Sequence, residues 1–118
     1  AAAPTALAHH SPTMCEETKT ITVEGVVKEL QYSNPHSWLL VDVTDASGKV
    51  TTWGFEAEGP STLQRAGIRP SEFPAGTKLT ITGRPMKDGP PAAIWVEAAR
   101  PHGKTLVAAA VPGGTSEL

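Results

Sequence analysis

The chain has 118 residues, ten Lys and Arg against twelve Asp and Glu, a formal net charge of −2, four His and one Cys. That length fits one domain, and a core of this size can bury roughly two-thirds of the unfolded surface without metal or disulfides. The balanced charge argues against a nucleic-acid partner, no run approaches a membrane span, and the lone Cys15 excludes a disulfide framework and any paired-cysteine zinc, redox or haem motif.

The head, Ala1 to Ala8, is small and uncharged and closes on Ala6-Leu7-Ala8, a spacing that signal peptidase reads. Export to a bacterial periplasm or the extracellular space is the expectation. Residues 1–15 read as an exported N-terminal segment, with a signal-peptide remnant through residue 8 and then a His-rich arm. A low-complexity linker is the bland alternative. Residues 16–110 read as a β-barrel domain and 111–118 as a C-terminal tail.

Residues 20–32 are β-branched and alternating, with Gly25 placed where a strand bends or bulges. Ser33-Asn34-Pro35-His36 reads as a turn. Residues 37–44 form a second strand with Leu39, Val41 and Val43 on one face and Trp38, Leu40 and Asp42 on the other. Asp45-Ala46-Ser47-Gly48 closes a hairpin onto residues 49–56, where Trp53 and Phe55 point the same way.

The period then changes. Pro60 to Gly67 has Pro early and Gly late, the asymmetry of a short helix, with Leu63 and Ala66 facing the core. Two further strands follow at residues 77–83 and 93–99, joined through Asp88-Gly89, and a short last strand is expected at about 104–109. This order predicts a mainly β fold: a small, OB-fold-like antiparallel barrel of five to six strands, with one short helix between strands 3 and 4. A plain antiparallel sandwich or another small barrel is the alternative.

Candidate chemistry concentrates in the arm. His9, His10, Met14 and Cys15 fall within seven residues, and His36 lies in an inter-strand turn at the barrel rim. Imidazole suits copper, zinc and nickel, whereas thioether and thiol sulfur suit Cu(I), so a copper ion is the expected cofactor. With cleavage after Ala8, the His9 amine and ring together with His10 form a histidine brace for Cu(II). Against this, adjacent exposed His residues are often only solvated. Cys15 reads as a small buried hydrophobe, a copper ligand or an intermolecular disulfide partner. Trp38, Trp53 and Trp95 offer a ligand-stacking platform, against the bland reading that tryptophans fill the core. Glu56 and Glu58 read as a solvated rim. None of the common hydrolase, zinc-protease, P-loop or Rossmann signatures is present, and no enzyme is expected.

Three segments resemble a family of small exported bacterial proteins known only as a domain of unknown function: Ala8-His9-His10-Ser11, the strand around Glu24-Gly25-Val26-Val27, and Asn34-Pro35-His36-Ser37-Trp38. The likeness extends to Trp53, to Leu63-Gln64-Arg65-Ala66-Gly67 and to Gly76 through Pro85. The resemblance implies export, a small β-barrel and a pairing of His9 and His10 with the Asn34-Pro35-His36-Ser37 turn. This chain departs from the family pattern after Met14, where Cys15-Glu16 replaces the usual Phe-Asp.

The leading expectation is a non-enzymatic exported module that holds copper through His9, His10 and His36, assisted by Met14 or Cys15. The alternative is a structural subunit of an extracellular filament or envelope complex, self-associating or joining envelope proteins through its apolar tails and strand edges. A barrel for a small ligand or carbohydrate, using Trp38 and Trp53, comes third.

Overall fold

The first strand pairs with a different neighbour along each half of its length, and the barrel follows from that. In the computed structural model, which describes residues 19–101 and 105–107, β1 (Ile21–Gln31) pairs through Ile21–Val26 with β4 (Lys78–Pro85) and through Val26–Gln31 with β2 (His36–Thr44). The register slips between Val27 and Glu29, a bulge that bends the strand from one partner to the other. Gly25, expected to mark this bend, has a different task. A Cβ there would stand 2.6 Å from the Asp42 carbonyl oxygen and 2.6 Å from Val41 Cγ1, so only glycine lets the two strands approach.

β2 runs into β3 (Val50–Glu58) through the Asp45–Gly48 turn, where Gly48 has φ 92°. A short helix, α1 (Pro60–Arg65), a 3-10 turn (Pro70–Glu72), β4, β5 (Ala92–Ala99) and β6 (Thr105–Val107) complete the order. β3 and β5 join along Gly54↔Ala92, Phe55↔Ala93 and Glu56↔Ile94 and close five strands into a barrel, with β6 added beside β5. The predicted OB-like architecture is therefore present, with a short α-helix between strands 3 and 4. One pairing departs from the all-antiparallel expectation: the closing pair is parallel. A ring of five cannot alternate direction all the way round, so one seam has to run parallel.

α1 begins with Pro60 in its first turn and ends where Gly67 takes φ 84°. The Gly67 N–H donates to the Gln64 carbonyl at 3.0 Å and the Ile68 N–H to that of Leu63 at 2.8 Å. This double capping satisfies carbonyls that the helix leaves open and brings Ile68 against Leu63. Both are fully buried with Leu39, Val41, Phe55, Ile81, Ala93 and Trp95. Phe73 meets Trp95 edge-to-face at 5.5 Å, closing the same core. Each such large side chain contributes about 1.5–3 kcal/mol through burial. Tyr32, just beyond β1, sends its hydroxyl to the Ile68 carbonyl at 2.9 Å and the Pro60 carbonyl at 3.2 Å. It thereby ties the end of the first strand to the start and exit of the helix. Among the described residues no helix is long and apolar enough to cross a membrane.

Candidate functional site: the His36–Glu56 corner

The turn before β2 is built by its own side chains. The Asn34–Pro35 peptide bond is cis. The Ser33 N–H donates to Ser37 Oγ at 3.2 Å, Ser37 Oγ donates to the Ser33 carbonyl at 3.3 Å, and Ser33 Oγ donates to the His36 carbonyl at 3.0 Å. Ser37 points inward and is fully buried, so these bonds are what make a hydroxyl tolerable there. Gly59 presses against the same turn from β3. A Cβ at Gly59 would lie 2.5 Å from Asn34 Oδ1 and 3.1 Å from the Pro35 carbonyl oxygen. Contacts from both strands at this end of the β2–β3 pair therefore fix where His36 starts.

From that position His36 reaches diagonally across the ladder. Its direct partner is Glu58, and Glu56 sits opposite Trp38. His36 Nδ1 lies 2.7 Å from Glu56 Oε2. The imidazole is about one-third exposed, 35%, whereas the Glu56 side chain is only 6% exposed. A carboxylate can only accept, so Nδ1 carries the proton of this contact, and in the neutral ring Nε2 is the electron-pair donor. A histidine oriented this way by a carboxylate is the usual arrangement behind a metal-bound imidazole.

Of the other residues singled out in the sequence, His9, His10, Met14 and Cys15 lie outside the described residues. Among the described residues there is no group of three or more His, Cys, Asp or Glu placed to hold a metal. Trp38 and Trp53 lie on opposite faces of the β2–β3 ladder. Trp53 pairs with inward-facing Val41 and stacks on Phe55 at 6.1 Å, while Trp38 pairs with Glu56 on the outside and lies over Gly54. Glu56, expected from the sequence to be part of a solvated rim, is instead buried, at 4% exposure, against His36. It alternates with Phe55 and Ala57, which face the core, and such a pattern marks an outward residue without saying whether anything covers it.

A family of unknown function, DUF6152, matches residues 1–95 of the chain. The chain belongs to this family. The DUF6152 match takes in the His9-His10 segment, the Asn34-Pro35-His36 turn and Glu56, and stops within β5. No curated protein and no solved structure matches the chain.

Proposed function

We propose that this DUF6152 chain is a non-enzymatic, exported metal-binding module whose cation is copper. The observation that carries the reading is the 2.7 Å contact between His36 Nδ1 and the buried Glu56 carboxylate, which fixes the ring and leaves Nε2 free to coordinate. One imidazole does not make a site. The remaining ligands come from His9 and His10, with Met14 or Cys15 assisting, a nitrogen and sulfur set that suits copper in either oxidation state. The Ala6-Leu7-Ala8 spacing supports export.

Calorimetric titration of the full chain with Cu(II), and with Cu(I) under reductant, tests this. One tight site is expected, abolished in the His10→Ala/His36→Ala variant. The Glu56→Gln variant should keep the stoichiometry and lose roughly 10–100-fold in affinity, the usual effect of removing a carboxylate that orients a ligand histidine. Unchanged copper affinity in the double variant would overturn the assignment.

A further inference from the structure

β1 changes partner at Val26, and the outer face there is not flat. Val26 stands opposite Asp42 of β2 on one side and Lys78 of β4 on the other. Ile21–Gly25 pair with β4, while β2 runs on past Asp42 with β3. At this divergence lies an open depression of about 550 Å³, within the size range of small-ligand sites. Paired residues share a face, so Asp42, Val26 and Lys78 stand in one outward row, with Glu24 and Thr80 in the next. Arg100, just beyond β5, completes the border.

The charges around the depression are sorted by strand. β2 and β1 bring two carboxylates, Asp42 and Glu24, and the β4 and β5 side brings two cations, Lys78 and Arg100. Two of the four are held in place: Asp42 Oδ1 accepts from the Thr52 hydroxyl at 2.6 Å, and Arg100 Nη1 lies 2.6 Å from Glu72 Oε1. The other two are spare. Among the described residues no hydrogen bond or ion pair engages the Glu24 or Lys78 side chain, although the two stand diagonally across the β1–β4 ladder. Between the acidic and basic halves Val26 is 38% exposed, an apolar side chain open to solvent. A site negative at one end, positive at the other and apolar between suits a ligand of the reverse polarity. Strands lie about 4.8 Å apart, so the middle of the acidic pair is about 10 Å from the middle of the basic pair. An extended peptide of three residues spans about 10 Å between its free ends, and a single amino acid about a third of that.

We propose that this depression binds a short peptide with free ends, about three residues long, its ammonium on Glu24 and Asp42 and its carboxylate on Lys78 and Arg100. None of these four residues belongs to the copper reading, so either can fail without the other. The test is an NMR titration of the full chain, kept metal-free with EDTA, with trialanine. The amide signals of Glu24, Val26 and Thr80 should shift and saturate, while those of Phe55 and Ile94 stay in place. Alanine, N-acetyl-trialanine and trialanine amide should each bind about fivefold more weakly, the upper scale of one exposed ion pair. Glu24→Gln should weaken trialanine by the same factor and leave the N-acetylated form unaffected, and Lys78→Gln should spare the amide form in the same way. Both side chains are exposed, so neither variant disturbs the fold. Absence of saturating shifts at the three amides would overturn the proposal, as would alanine binding as tightly as trialanine. Equal losses for free and blocked peptides in the two variants would overturn it as well.

Discussion

The two outer walls of the barrel share one sheet and one pleat but not one environment. On β1 and β4 the outward residues include Thr22, Glu24, Val26, Lys28, Lys78, Thr80 and Thr82, with Thr22 and Thr82 hydroxyls 2.9 Å apart across the ladder and Glu24, Val26 and Lys28 in solvent. An open depression lined by Glu24, Asp42, Lys78 and Arg100 lies on this side. On β2, β3 and β5 the outward residues are Trp38, Leu40, Gly54, Glu56 and Ile94, and two of them are as buried as the core. The difference teaches that strand alternation distinguishes inside from outside but does not say how much of the outside meets water.

The sharpest way to break this comparison is to place a charge on each wall. Ile94→Lys should destabilise by at least about 3 kcal/mol, the scale of an unpaired charge forced into a buried site, whereas Glu24→Lys should stay within about 0.5 kcal/mol. Urea unfolding of both variants checks it, and equal effects would erase the distinction between the walls. A smaller effect separates two glycines. Gly25→Ala drives a methyl into the Asp42 carbonyl and should cost about 1–3 kcal/mol, because backbone has to move. Gly54→Ala meets only the Trp38 ring at 3.1 Å, and the gain in strand preference of about 0.5–1 kcal/mol offsets the adjustment, leaving stability nearly unchanged. Thermal melts should rank them in that order, with the Trp38 fluorescence altered only in the Gly54 variant.

The smallest expected effect contrasts a carboxylate in solvent with the buried Glu56. Asp45 is fully exposed, and hydrogen bonds from the Ser47 hydroxyl first, then the Lys49 and Ser47 amides, hold its carboxyl below the usual aspartate range. Because the folded value is lowered, its small stabilising effect is present above the unfolded value and lost as the pH falls through the folded one. A carboxyl-carbon NMR titration should show the Asp45 midpoint below that of an aspartate in an unstructured peptide, and a Ser47→Ala variant should move it back upward.

Most of the architecture was legible because the strands keep a period of two between their few irregularities. Leu39, Val41 and Val43 declared one face, Trp53 and Phe55 declared the same one on the next strand, and Pro60 with Gly67 bracketed the helix. The parallel seam was not legible, since it follows from ring closure and from no local pattern. Gly25 was read as a bend because an isolated glycine in a strand has two common causes, and the close approach of Asp42 was the one that applied. At the candidate site His36 stood out by its turn. Glu56 did not, because outward alternation carries no information about what lies above a residue.

The seam between β3 and β5 has a further consequence for motion. It holds three register pairs, against nine between β2 and β3. Local opening proceeds where the fewest bonds must break together, so the barrel unrolls along this line before it melts elsewhere. Glu56 and Ile94 face each other across that line. Faster amide exchange along Gly54–Glu56 than along Leu39–Val43 becomes the measure of that opening.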